Sequence, residues 1–451
     1  MKIQKQVPLT EGPILKSLTG LAVPIMISSF LGTLYNITDM AWIGLLGSKA
    51  VAAVGVGGMY VWLSQGLASL ARMGGQVHVA QCLGRGDKEQ AHRYAKTAVQ
   101  LSILLGLAFA AVSLLFTDPL VGFFKLEGVK TILDAKIYMR ITCGLILFSF
   151  LNLTLTGVYT AQGDSKTPFV ANFIGLLINL LLDPLLILGV GPFPRIEVAG
   201  AAVATVSAQF VVMFVMMVGV FRSKKEENVL KGIRLFEPFS KEELGNICKI
   251  GGPTAIQGME YCMISMVLTR MVAAFGAEAI ATQRVGGQIE SVSWNTADGF
   301  AAALNAFVGQ NYGAKKMDRV QKGYRISFWT VAIWGALIML AFIIFPGPIA
   351  GVFFHEEKAM EIAISYLIII GFSEAFMCVE LMTIGALSGL GKTKLCSVIS
   401  ITATSMRIPL AMVLSRTSLG LDGIWWALTL TSVAKGIIFY LTFRYQMREK
   451  C

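Results

Sequence analysis

Apolar residues fill this chain in long blocks, and polar residues gather in the short intervals between them. Twelve blocks are long enough to cross a bilayer as helices: residues 15–43, 52–80, 93–117, 133–158, 167–190, 198–221, 246–274, 278–307, 322–346, 361–388, 394–415 and 422–444. The pattern predicts an all-α polytopic membrane protein with twelve transmembrane helices. The longest polar interval, from Arg222 to Glu243, falls between blocks six and seven. It divides the chain into a first lobe at 1–221, a linker at 222–245 and a second lobe at 246–451.

Composition agrees. Hydrophobic residues make up 55% of the 451 positions and charged residues only 14%, against roughly 25% charged in a soluble domain. The net charge of +11 could suggest nucleic acid, but the cations sit in loops. One set of loops holds Arg85, Lys88, Arg93 and Lys96, the run from Arg222 to Lys241 with Lys224 and Lys225, and Lys315 to Arg325. It also holds Lys392 and Lys394, and Lys2, Lys5 and Lys450 at the ends. The other set has only Lys49, Lys125, Lys130, Lys136, Arg195, Lys358 and Arg416. That asymmetry places both termini in the cytoplasm. MKIQKQ runs into a full-length first span, so no cleavable signal peptide is expected. The seven cysteines, Cys451 among them, and the histidines His78, His92 and His355 have no metal-site spacing.

The chain also repeats itself. At an offset of 229, Pro24 falls on Pro253, Gly47 on Gly276, Val56-Gly57-Gly58 on Val285-Gly286-Gly287, and Gln81 on Gln310. At 228, Gly157 falls on Gly385, Gly163 on Gly391 and Lys166 on Lys394. Each unit has an even number of spans. The two six-helix bundles are therefore expected to be related by a pseudo-twofold axis along the membrane normal, the arrangement of parallel-repeat transporters that rock about a central cavity.

Within the fifth block, NLLLDPLLILG at 179–189 carries Asp183 near the centre of the apolar run Pro168–Val190. An ionisable group at that depth is costly and marks function. Asn179 lies one helical turn earlier on the same face. Pro184 cannot donate and displaces the carbonyl of Leu180, which predicts a kink and a spare acceptor. Together they suit a cation or a proton. The repeat is a control: Asn179 falls on Arg407 and Asp183 on Ala411, so the fold itself does not need the acid. Asp39, in LYNITDMAW, is either an interfacial acid or a buried one. Trp42 and Gly44 continue the run beyond it, which favours burial, and Tyr35 shares its face. Thr205 in GAAVAT is either bonded back to its own helix or part of a site. Asn152 in FLNLTLTG, which falls on Glu380, is either an interhelical bond or a site residue.

The second half carries Glu260, Glu290, Asp298, Glu374 and Glu380, some of which the arginines there could pair. Glu260 comes two turns after Pro253. Gln257, Gln288 and Trp294 suit a cavity wall, although packing is the better explanation of each.

Taken in order, Pro24 with Asp39, GRGD at 84–87, Asn179 with Asp183-Pro184, GAAVAT at 200–205, VGQNYGA at 308–314 and GLG-K-T at 389–393 resemble the MATE (multidrug and toxic compound extrusion) transporters of bacterial type. The resemblance covers both halves. It implies a monomeric secondary antiporter of the bacterial inner membrane that exports organic, often cationic, compounds against inward H⁺ or Na⁺. No cofactor and no nucleic-acid partner are implied; small organic substrates and membrane lipids are. In one family branch the cation site corresponds here to Asp39, Asn179, Asp183 and Thr205, with Asn152 beside them. Na⁺ would sit at Asp39, Asn179 and Asp183. In another branch a span-seven acid matters, which Glu260 resembles, with Glu374 or Glu380 as the span-ten acid.

Two carboxylates in a water-poor pocket resist both being ionised, so uptake of an ion there could drive the exchange. The main alternative is a lipid-linked oligosaccharide flippase of related architecture, which would want a cationic cavity for pyrophosphate. An enzyme would need a metal cluster or an activated nucleophile, and the sequence shows neither.

Overall fold

The structure is a computed structural model that describes residues 6–126, 128–189, 194–223, 228–235, 237–238, 240–354 and 356–448. Lys2, Lys5, Val190, Lys224, Lys225, His355, Lys450 and Cys451, noted above, lie outside the described residues. Among the described residues all regular structure is helical. The first half contains α1 (Ile14–Gly44), α2 (Ser48–Arg85), α3 (Lys88–Leu115), α4 (Thr117–Gly122), α5 (Val129–Gly144), α6 (Leu147–Ala161), α7 (Lys166–Ile187) and α8 (Glu197–Arg222). The second contains α9 (Lys241–Ala273), α10 (Ala277–Gly313), α11 (Met317–Ile344), α12 (Pro346–Gly351), α13 (Glu357–Gly371), α14 (Glu374–Gly389), α15 (Thr393–Ser405), α16 (Arg407–Leu414) and α17 (Leu421–Arg448).

The twelve expected spans are present, with corrections. Span four is the pair α5 and α6, bent by 42°, and span ten is α13 and α14, bent by 49°. Span eleven is interrupted at Met406, between α15 and α16. Ten spans are long and apolar enough to cross a membrane when each bent pair counts as one. The other two, α9 and α10, are long enough at 33 and 37 residues but carry more polar side chains, Glu260 and Glu290 among them. Pro184 lies inside α7, which runs on to Ile187. Leu115, Phe221, Trp329 and Leu337 are exposed along the outsides of helices, as lipid-facing positions require.

The repeat is visible in the geometry of each half. Gly47 and Gly276, ahead of α2 and α10, have φ of 102° and 112°, a region that side chains with a Cβ avoid. A Cβ at Gly57 would enter the ring of Tyr138, and one at Gly286 the ring of Tyr366. These tyrosines are themselves 228 apart. Gly106 packs on Leu147, and Gly335 on Ala375. Gly200 abuts the Leu186 carbonyl, and Gly423 that of Leu414.

The chain forms two compact units. The first comprises Met1–Val7 and Ile27–Gly258, and the second Pro8–Met26 and Met259–Cys451. In the first, the leading half of α9 lies on α2: a Cβ at Gly251 would collide with the Leu70 carbonyl, and Gly258 meets Gly66. In the second, the leading half of α1 lies on α10, with Gly299 against Met26. Small residues at these crossings let backbones approach closely, which supplies the packing that holds helices together in lipid. The second unit adds an edge-to-face pair, Tyr366 on Trp425, with centroids 5.0 Å apart, worth about 0.5–1.5 kcal/mol beyond its buried area.

Candidate cation site in the first unit

α7 and α8 create the site by lying close together. Gly175 on α7 takes the Val212 side chain, and Gly200 on α8 takes the backbone at Leu186 and Ile187. Between those two contacts the helices bury Asn179, Asp183, Ala201, Ala204 and Ala208. The alanines leave room, and the polar side chains of α7 project into it. Asn179 is 1% exposed and Asp183 fully buried. Asn179 Nδ2 donates to Asp183 Oδ1 at 3.1 Å, the one-turn pairing expected from their spacing.

Asp39 on α1 is buried as well, which settles the choice between interface and interior. It lies within electrostatic reach of Asp183. Tyr35, one turn earlier on α1, donates to Thr205 Oγ1 of α8 at 2.8 Å. Thr205 is thus bonded across helices rather than back to its own. Tyr138 on α5 also faces the group, within reach of Asp39, Asp183 and Thr205. Asn152 is turned aside: its Nδ2 donates to Gln209 Oε1 at 2.7 Å and to the Gln209 carbonyl at 2.9 Å. Of the five first-lobe candidates, four therefore gather in one place, and Asn152 sits beside them on a bond of its own. Tyr138 and Gln209 were not singled out in the sequence.

The pocket is short of donors. Asp39 Oδ1, Asp183 Oδ2, Asn179 Oδ1 and Asn152 Oδ1 are all buried without a hydrogen-bond partner among the described residues. A buried acceptor left alone costs about 1–3 kcal/mol. Three of these oxygens, on Asp39, Asn179 and Asp183, belong to one cluster. An all-oxygen set with negative charge suits a hard cation or a proton.

The second unit is built differently. Glu380 pairs with Lys435 Nζ at 2.7 Å. Glu260 accepts from Ser405 Oγ at 3.1 Å, and Glu290 from Tyr366 OH at 3.3 Å. Glu374, the first residue of α14 after the bend, is fully buried and faces Glu290. Arg407 is buried, donating to Thr431 and Ser432. Of the proposed wall residues, Gln288 and Trp294 are exposed, and Gln257 is half-buried. No group of three His, Cys, Asp or Glu side chains able to hold a metal occurs among the described residues.

The MatE family model matches residues 24–185 and, a second time, 253–413. The chain belongs to the MatE family. The double match coincides with the repeat, and Asp39, Asn179, Asp183 and Arg407 lie inside the matched segments. The chain is similar to a probable multidrug resistance protein NorM of Thermotoga maritima, 29% identical over 98% of this chain and 95% of that one. It is also similar to an FAD transporter of Shewanella oneidensis, 24% identical over 96% and 95%. Among solved structures it is similar to a MOP superfamily transporter from Pyrococcus furiosus, at 25% identity and a TM-score of 0.88 over 99% of both chains. A MATE protein in the straight conformation aligns with a TM-score of 0.90 at 24% identity, over 99% of both chains, and so shares the fold. The MatE chain described here is a multi-pass membrane transporter of bacterial type and not an enzyme.

Proposed function

We propose that this MatE protein is a secondary antiporter that exports small organic compounds in exchange for inward H⁺ or Na⁺, with Asp39, Asn179 and Asp183 as the coupling site. The observation that carries this is the cluster of buried acceptor oxygens on these three residues, which no donor among the described residues satisfies. Two carboxylates so placed repel each other, and a cation shared between them relieves both the repulsion and the missing bonds. Tyr35 and Thr205 join α1 to α8 beside the acids. Ion occupancy would therefore be felt by α1, α7 and α8 together. Coupling requires that ion and substrate favour different states of the protein. Similarity to a probable multidrug resistance protein and to an FAD transporter supports an organic substrate. The loop cations support a cytoplasmic-membrane orientation with both termini inside. A flippase for a pyrophosphate-linked lipid would call for free buried cations, whereas Lys435 and Arg407 are engaged by Glu380 and by hydroxyls.

The test is efflux of an organic cation from proteoliposomes with pH and Na⁺ gradients imposed separately. Wild type responds to at least one gradient. Asp183→Asn binds the compound but loses gradient-driven efflux. Full gradient-driven efflux by a correctly inserted Asp183→Asn protein defeats the proposal.

A further inference from the structure

Of the ion pairs among the described residues, Lys435–Glu380 stands apart. Its Nζ–Oε1 distance is 2.7 Å, and each side chain is only 6% exposed. In every other pair at least one side chain is substantially exposed. A carboxylate at membrane depth must be matched by a proton, a metal cation or a fixed cation.

The repeat shows what this pair replaces. Glu380 stands where the first unit has Asn152, and Arg407 where it has Asn179. Lys435, aligned through Gly200 and Gly423, stands where it has the buried Val212. Ala411, at the position of Asp183, is fully buried too. The second unit therefore carries a guanidinium at the place where the first unit binds a cation, and an ammonium on the acid next to it. Arg407 also faces Glu260 and Glu290, and its guanidinium lies 6.0 Å from the Tyr261 ring.

We propose that Lys435 is a tethered cation: its ammonium fills the seat on Glu380 that a free sodium ion or proton would take, and so confines ion uptake away from Glu380. This rests on the reading that the Asp39–Asn179–Asp183 cluster takes the coupling ion. It adds that Glu380 is silent in wild type and becomes an ion site when Lys435 is removed.

The test counts radiolabelled Na⁺ bound, and protons taken up from a dye-reported weak buffer, by purified full-length protein. Lys435→Met in an Asp183→Asn background is expected to bind one ion, either sodium or a proton, that Asp183→Asn alone does not bind. Adding Glu380→Gln should abolish it. The neutral pair Lys435→Met with Glu380→Gln, otherwise wild type, should fold and keep wild-type ion binding; it remains informative where Lys435→Met alone fails to fold. The proposal is overturned if the neutral pair loses ion binding. It is equally overturned if folded Lys435→Met in the Asp183→Asn background gains no ion. Asp183→Asn with undiminished ion binding would instead defeat the first-unit reading, and the gain at Glu380 would still be scored by itself.

Discussion

Replacing Asn179 by alanine should reveal which ion the site takes. Asn179 is 1% exposed, and its amide donates to Asp183 Oδ1 at 3.1 Å while its own oxygen is buried without a partner. A hydrogen bond to a charged group is worth about 1.5–3 kcal/mol. At about 1.4 kcal/mol per decade, that is a roughly 10- to 150-fold change in ion affinity. The sign depends on the ion. A sodium ion loses the amide oxygen as a ligand and faces a carboxylate that has lost its donor, so the Na⁺ concentration for half-maximal efflux rises. A proton competes with the donor for the carboxylate, so its loss favours the proton-loaded form, and half-maximal efflux moves to more alkaline pH. Both titrations can be run on one proteoliposome preparation with a fluorescent organic cation. If Asn179→Ala, inserted and folded, leaves both midpoints within about twofold of wild type, the amide is not part of the ion site and the argument fails.

Two further outcomes follow from the packing and the loops. Gly57→Ala and Gly286→Ala drive a methyl into the Tyr138 and Tyr366 rings and should each lower stability by about 1–3 kcal/mol; their neighbours Gly58→Ala and Gly287→Ala, which meet nothing within 4 Å, should be neutral or slightly stabilising in the same thermal melts in detergent. In the linker, Lys96 donates to the exposed Glu237 at 2.8 Å, and that bond, then the lysine's charge, holds the Glu237 carboxyl below its ordinary range. A depressed acid stabilises above its unfolded value and loses that contribution as pH falls through the folded one. Amide protection in residues 228–235, taken relative to the intrinsic exchange rate at each pH, should therefore be higher at neutral pH than below the ordinary glutamate range, and Lys96→Ala should remove the difference.

Asp39, Asn179 and Asp183 were legible in the sequence because charge at membrane depth is costly wherever it occurs, and because a one-turn spacing fixes two side chains on one face. The pairing of Thr205 with Tyr35 is not legible in the sequence, since only the approach of α8 to α1 shows that they bond to each other. Tyr138 gave no signal: a tyrosine among Lys136, Met139 and Arg140 reads as interfacial until its ring is seen over Gly57. Lys435 does give one, being a charge inside the last apolar block, but its partner lies on a distant helix. The bends after Gly144 and Gly371 occur without a proline and leave no mark in hydropathy. Pro184 lies inside α7, which runs on to Ile187, and the last turn closes from the Leu188 N–H onto the Pro184 carbonyl.

The division of the chain into units does not follow its duplication. Pro8–Met26 is built into the second unit, and the first turns of the second repeat, through Gly258, into the first. The product of one repeat alone would thus carry a strip that packs in the other unit and lack the strip that packs in its own. Cutting the present gene at the linker recreates that situation: neither product is complete, and each carries a piece the other needs.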